Sequence, residues 1–125
     1  MQYITRLDVD KYRCVSDSIT TDEVILTDER IHHIQKRHPD DYELYRMYLA
    51  EIIEAPDYIL KDERENTALV LKEITACGER FRLSLRLATS ADCPTYKNSV
   101  LTFWRMRKKE WERLLRNKII LYKSE

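Results

Sequence analysis

The most regular alternation of hydrophobic and polar residues in the chain runs from residue 80 to residue 88. One side of it is apolar and the other holds three arginines: Phe81, Leu83, Leu85 and Leu87 alternate with Arg80, Arg82, Ser84 and Arg86. A period of two is typical of a β-strand with one buried face. We therefore predict a strand whose apolar face packs on another layer, while its arginine face contacts water or anions.

Other segments extend this pattern into an ordered series of elements. Period-two alternation predicts further strands at residues 57–61, 67–74 and 99–106, with a last one at 119–122. Apolar residues at helical spacing predict helices at about 28–37, from 42 to the proline at 56, and at 108–117. Residues 3–7, 12–15 and 24–26 have the alternation of short strands or extended arms.

Helices followed by a run of strands is the element order of an α+β fold. In such a fold we expect the helices to pack on one face of an antiparallel meander. The chain has 125 residues, enough for one hydrophobic core, so residues 1–125 are predicted to form a single domain. Residues 1–25 are expected to be its extended N-terminal segment.

The first predicted helix has signals at both ends. Thr27 has the side chain of an N-cap, and Asp28 and Glu29 follow it in the first turn, where the helix dipole favours acidic residues. Pro39 disfavours helical geometry at the residue before it. The helix is therefore expected to stop at His38.

Composition excludes several classes of function. The single glycine, Gly78, rules out the glycine-rich phosphate loops of nucleotide-binding folds. The cysteines Cys14, Cys77 and Cys93 fit neither a disulfide framework nor a zinc site and are expected to be thiols. No long apolar run and no signal-peptide pattern occur, which predicts a soluble, cytoplasmic protein without membrane contact.

The charges are balanced over the whole chain but not along it. Residues 1–79 contain ten Lys/Arg and eighteen Asp/Glu, a net charge of −8, whereas residues 80–125 contain twelve and four, a net charge of +8. This asymmetry fits an anion-binding face on a neutral protein. It fits equally well two halves that attract one another in the fold.

All three histidines, His32, His33 and His38, fall within seven positions. Their separations do not match the spacing of paired histidine metal ligands on a helix, so neither a metal nor another cofactor is expected. Arg30, His33 and Arg37 lie three and four residues apart and therefore share a helix face. An imidazole between two guanidinium groups is suited to binding phosphate. For His32, a solvent-exposed position is the simpler interpretation.

His38 is predicted to lie at the C-terminal end of the helix, where the dipole stabilises positive charge. A histidine whose charged form is favoured near neutral pH can act as a general acid. The alternative is a structural role, in which the imidazole caps the last carbonyl groups of the helix. The sequence leaves both interpretations open.

Cations and hydroxyl groups follow on the predicted strands: Lys72, Arg82, Arg86, Ser99, Thr102 and Arg105. Rigidly held groups of this kind stabilise the extra negative charge of a pentacoordinate phosphate. Cleavage of RNA through its own 2′-hydroxyl needs only a base, an acid and such donors. A solvated strand face is the alternative for each arginine taken alone. Trp104 and the basic residues after it fit nucleic-acid binding, or a core position followed by an exposed helix face.

Residues 26–39 read LTDERIHHIQKRHP. This segment resembles the opening of phage-associated and toxin-associated nuclease domains of the barnase, EndoU, colicin and RelE fold superfamily. Residues 56–59 (PDYI) and 98–102 (NSVLT) are similar to that group's strand entry and to its Ser/Thr-bearing strand. Together these segments extend the resemblance over most of residues 26–122.

The resemblance implies an α+β fold with N-terminal helices packed on a curved antiparallel sheet of about four strands and a further helix near the C-terminus. It implies a metal-independent endoribonuclease, with RNA as substrate and an inhibitor or immunity protein as a partner. The positions that match the family are the catalytic candidates His33, His38, Lys72 or Arg86, Ser99 and Thr102. From their own charge and placement, the candidates for binding phosphate or RNA are Arg30, Arg37, Arg82 and Arg105.

Two other functions stay open at this point. One is a non-catalytic phage or mobile-element protein that binds a partner chain or nucleic acid. The other is an enzyme that acts on a different phosphorylated small ligand. The histidines discriminate between catalysis and binding, because only an enzyme needs their proton transfer.

Overall fold

The computed structural model describes residues 1–125. The elements follow one another as β1 (Gln2–Arg6), α1 (Val9–Tyr12), β2 (Glu23–Leu26), α2 (Asp28–Arg37), α3 (Pro39–Tyr45), α4 (Leu49–Glu54), β3 (Tyr58–Lys61), β4 (Thr67–Ile74), β5 (Glu79–Arg86), β6 (Asn98–Met106), α5 (Lys108–Asn117) and β7 (Ile120–Lys123). A 3₁₀ turn, Arg46–Tyr48, joins α3 to α4. None of the helices is both long and apolar enough to cross a membrane.

The strands form one mixed sheet of seven, in the order β1-β2-β6-β5-β4-β3-β7. Neighbouring strands are antiparallel except β2 and β6, which are parallel. The prediction of an antiparallel sheet of about four strands is therefore wrong. Strands β3 to β6 are the predicted meander, but the N-terminal segment adds two strands at one edge and β7 extends the other. The parallel pair escaped prediction because it joins segments more than seventy residues apart.

Each face of the sheet has its own layer of helices. The face that we call the helix-layer face packs against α1–α4 through a core that includes Tyr12, Ile34, Tyr42, Ile52, Val70, Leu83 and Phe103. The opposite face, called the α5 face, packs against α5 through Leu60, Leu69, Leu71, Met106 and Leu114. The expectation that all helices lie on one face is therefore wrong, because the chain returns under the sheet after β6.

The helices near the predicted histidine site agree only in part with the sequence pattern. The predicted bounds of α2 are confirmed, and the Oγ1 atom of Thr27 accepts a hydrogen bond from the backbone N–H of Arg30 at 3.2 Å. The next helix begins earlier than predicted, because Pro39 occupies its first turn, where a missing N–H costs nothing. It is also divided into α3 and α4 by the 3₁₀ turn.

Asn98 joins the parallel strands and is fully buried. Its side-chain amide donates to the carbonyl groups of Thr21 and Glu23 at 2.8 and 2.9 Å, and its Oδ1 accepts from the N–H of Ala88 at 2.7 Å. Replacing it with Ala leaves these backbone groups without partners, so Asn98→Ala is expected to lower the free energy of unfolding by about 3 kcal/mol. Urea denaturation measures the change. Asn117→Ala, on the exposed end of α5, is the control and should cost less than about 0.5 kcal/mol; equal losses would contradict the role of Asn98.

Candidate active site

Four facing pairs of residues from β5 and β6 lie side by side on the α5 face: Arg80 with Met106, Arg82 with Trp104, Ser84 with Thr102, and Arg86 with Ser99. The register shifts after Ser84, so that Leu101 is an extra residue of β6, a β-bulge. Strict alternation would place Ser99 and Thr102 on opposite faces. The bulge brings both hydroxyl groups to the same face as Trp104.

Trp104 contacts side chains from two other parts of the chain. The rings of His38 and Trp104 stack with centroids 4.5 Å apart and planes 19° from parallel. The Cζ atom of Arg82 lies 4.3 Å from the centroid of Trp104, and its Nη1 donates to Oε2 of Glu110 at 3.5 Å. We call these four residues the Trp104 cluster.

The sequence Arg37-His38-Pro39 fixes the position of the imidazole. The N–H of His38 closes the last turn of α2 on the carbonyl of Ile34 at 2.7 Å. Its carbonyl accepts from the N–H of Asp41 at 3.2 Å, and so opens α3. His38 thus ends one helix and precedes the next, with a backbone conformation that belongs to neither. This junction directs its ring to the end of β6 rather than into solvent.

The environment of His38 favours its neutral form. Burial lowers the pKa of the imidazole below the ordinary value of histidine, and the positive charges of Arg37 and His33 lower it further. The carboxylates of Asp41 and Glu110 act in the opposite direction. The prediction that His38 favours its charged form is wrong, because burial of the imidazole lowers its pKa. A neutral imidazole can accept a proton, as a general base does.

Arg82 has few hydrogen-bond acceptors around it for a cation that is largely buried. Its side chain is 19% exposed, its Nε atom is buried without a hydrogen bond, and the Oγ atom of Ser84 beside it is in the same state. Burial lowers the pKa of the guanidinium, and the carboxylate of Glu110 raises it. Because buried polar groups normally find partners, each of these two donors still has a hydrogen bond to offer.

A cavity of about 640 Å³ opens beside the Trp104 cluster. Its walls are His38, Trp104, Arg105, Arg107, Lys109, Glu110, Arg113 and Arg116. Five of these residues are cations and one is acidic, so we call the cavity the basic cleft. No group of three or more His, Cys, Asp or Glu side chains is placed to hold a metal ion.

The structure does not bring any of the four predicted strand cations to the cleft as a free cation. Arg82 is not one of its walls and lines a second cavity, with Asp62, Glu63 and Arg64.

Lys72 lies on the helix-layer face, opposite Phe81, with its Nζ 3.2 Å from a carboxylate oxygen of Asp57. Arg86 is on the α5 face, but both of its terminal nitrogens bind the carboxylate of Asp92, at 3.1 and 2.9 Å.

Arg105 reaches the wall of the cleft, yet its Nε lies 3.7 Å from the carboxylates of both Asp41 and Glu79. Alternation along a strand identified these cations, but their partners come from distant parts of the chain. A cation already neutralised by a neighbouring carboxylate contributes little to binding a phosphate.

The remaining predicted residues are not walls of the basic cleft. His33 and Arg37 are exposed on α2, near enough to His38 to lower its pKa, and Arg30 is half-buried on the same helix. None of the three side chains forms an ion pair. Ser99 and Thr102 are half-buried on the face that carries Trp104, where their hydroxyl groups are free to donate.

Sequence reasoning missed the contribution of α5. Glu110 is the only acidic residue of the cleft, and Arg113 and Arg116 form its far wall. The basic run at the beginning of the helix was interpreted as an exposed face or a nucleic-acid contact. The visible signal was three consecutive cations where the helix dipole disfavours them, at 107–109.

Comparison with known proteins gives one match. A family model described as "phage-Barnase-EndoU-ColicinE5/D-RelE like nuclease2" matches residues 4–123. No curated protein and no solved structure matches the chain.

Proposed function

We propose that the chain, which belongs to the phage-Barnase-EndoU-ColicinE5/D-RelE like nuclease family, cleaves RNA at the Trp104 cluster by 2′-hydroxyl transphosphorylation. The observation that carries the proposal is a histidine stacked on Trp104, with a partly buried arginine over the same indole ring. A base and a cationic phosphate site are the parts that this reaction needs, and here both candidates contact Trp104.

In the proposed reaction His38 accepts the proton of the 2′-hydroxyl, and the oxygen attacks the adjacent phosphorus. The P–O2′ bond forms, the P–O5′ bond breaks, and the products are a 2′,3′-cyclic phosphate and a chain with a free 5′-hydroxyl. The stacking on Trp104 holds the imidazole in one plane, which orients the accepting nitrogen. No metal ion takes part in these steps.

Arg82 stabilises the charge that develops on the phosphate. Its guanidinium is held flat against Trp104 and is drawn towards Glu110, so it is oriented before the substrate arrives. The hydroxyl of Thr102, opposite Ser84 on the next residue pair of the face, supplies a further donor. Ser99, one pair farther along, would contact the neighbouring nucleotide.

The leaving 5′-oxygen takes a proton, and we assign that step to His33. It lies on the same helix as His38, near enough to influence its pKa, and it is exposed. Arg30 and Arg37 beside it would hold the adjacent phosphate. Because water can replace an exposed acid, His33 is expected to contribute less than His38.

Incubation of the purified protein with total RNA and with tRNA in EDTA tests the proposal. Cleavage that persists in EDTA and is absent on DNA is the expected result. Absence of RNA cleavage by the wild-type protein, or cleavage only after a divalent ion is added, would overturn it.

The protonation of His38 determines how kcat/KM changes on the acid side of the pH profile. A base must be deprotonated to act, and the pKa of this imidazole is lowered chiefly by burial. On the acid side, kcat/KM should therefore rise with pH and reach half of its maximum below the ordinary pKa of histidine, about 6.5. A profile of kcat/KM against pH checks this, and a half-maximal value above 7 would contradict the role of His38 as base.

A further inference from the structure

One side of α5 carries a row of unpaired cations. Arg107, Lys109, Arg113 and Arg116 all line the basic cleft, and none of them has a carboxylate within ion-pair distance. The other cations of this segment are paired: Lys108 with Glu112 and Lys118 with Glu63. The side of the helix that faces the cleft is therefore the side whose cations are left unpaired, since Glu110, the one carboxylate there, pairs with Arg82.

The row begins where positive charge is least favourable for the helix itself. Arg107 is the N-cap residue and makes no side-chain capping bond, and Lys108 and Lys109 follow in the first turn. The helix dipole disfavours cations at this end by a few tenths of a kcal/mol to about 1 kcal/mol each. Folding therefore gives no reason for these residues, whereas a bound polyanion would offset their cost.

Local charge, not the charge of the whole protein, is available to attract such a ligand. The net charge of the chain is zero, but residues 107–118 contain six Lys/Arg and two Glu. Four of those six cations lie on the cleft side. At 1.5 Å per residue, the row from Arg107 to Arg116 extends roughly 14 Å along the helix axis, which is longer than the backbone of one nucleotide.

We propose that this row binds the sugar–phosphate backbone of a single-stranded RNA next to the scissile phosphate, so that the substrate is an oligonucleotide and not a dinucleotide. The inference rests on the proposed function for the position of the scissile phosphate. A single strand is favoured because the Trp104 cluster lies at the base of a cleft, and because in an A-form duplex the 2′-oxygen is not in line with the P–O5′ bond.

Binding to a fluorescently labelled single-stranded oligoribonucleotide over a range of salt concentrations tests the row. All proteins carry His38→Gln, so that the RNA is not cut. Adding Arg113→Gln with Arg116→Gln should raise Kd at low salt at least tenfold and reduce the slope of log K against log salt by about 1.4, because each lost phosphate contact removes about 0.7. The control is Lys36→Gln with Lys123→Gln, which removes two exposed, unpaired cations outside the cleft. An equal slope change in both pairs would overturn the proposal.

Steady-state kinetics of proteins that keep His38 distinguish substrate binding by the row from the cleavage step. With a long single strand, Arg113→Gln with Arg116→Gln should raise KM at least tenfold and leave kcat within about twofold, whereas a dinucleotide should be cut equally slowly by variant and wild type. A loss confined to kcat would overturn the binding role.

Equal affinity for a duplex of the same sequence would overturn the preference for single strands. If the wild type cuts no RNA, the proposed function fails, while the binding experiment still decides whether the row holds RNA.

Discussion

Replacing His38 with Gln is expected to lower kcat/KM for RNA cleavage by about 10²- to 10⁴-fold, because a proton acceptor in contact with the substrate contributes a factor of this size. Glutamine keeps a polar planar group beside Trp104 but cannot accept the proton of the 2′-hydroxyl. Initial rates of cleavage of a fluorescent RNA measure the loss. Thermal unfolding of the same preparation checks that the α2–α3 junction is intact.

The other two histidines provide the matched controls for this variant. His32→Gln changes an exposed residue of α2 outside the cleft and should leave the rate unchanged. The cleavage rate of His33→Gln should lie between those of the other two variants, about tenfold below the wild type, because water partly replaces an exposed acid. Equal rates for His38→Gln and His32→Gln would show that the activity does not use His38.

Replacing Arg82 with Lys is expected to lower kcat/KM by about 10²- to 10³-fold, although the positive charge is retained. Lysine has no planar group to stack on Trp104 and no fork of N–H donors to match a phosphate. The loss should be mainly in kcat, since the guanidinium acts on charge that develops during the reaction. Steady-state kinetics give the two parameters separately.

Arg80 supplies the control for this second variant. It lies two residues away on the same face of β5 and pairs with Glu73 at 3.3 Å, away from Trp104. Arg80→Lys should therefore change kcat/KM by less than about threefold. A similar loss in both variants would mean that the strand needs arginine for its stability and not for catalysis.

Local signals in the sequence were sufficient for most of the individual elements, but the short strand predicted at residues 12–15 is wrong, because these residues form the end of α1 and a turn. The Thr27 cap and Pro39 predicted both ends of α2, and alternation predicted β4, β5 and most of β6. Such signals act within a few residues, so they do not specify which strands pair. The parallel contact of β2 with β6 depends on Asn98, whose partners at Thr21 and Glu23 are distant in sequence.

The sequence predicted which residue types form the candidate site, but not how these residues are arranged in space. His38 and Arg82 were both identified, yet their common neighbour Trp104 was interpreted mainly as a core residue. Two features were inaccessible to pattern analysis. The bulge at Leu101 rotates Ser99 and Thr102 to one face, and α5 covers the face opposite the other helices.

The state of His38 illustrates the same limit in electrostatic terms. A helix C-terminus favours a charged imidazole, and the sequence contains that information. Burial of the imidazole lowers its pKa, and this burial arises only when α2 and β6 meet in the fold. In the proposed reaction His38 is therefore the base and not the acid.

The central claim is that the 2′-hydroxyl of the substrate is the nucleophile and that His38 activates it. The most direct test is to identify the ends of the products formed from an RNA oligonucleotide and from the same sequence with one 2′-deoxy nucleotide at the cleaved position. The account predicts a 2′,3′-cyclic phosphate and a 5′-hydroxyl from the RNA, and no cleavage at the substituted position. Products with a 5′-phosphate and a 3′-hydroxyl, or cleavage at the 2′-deoxy position, would contradict it.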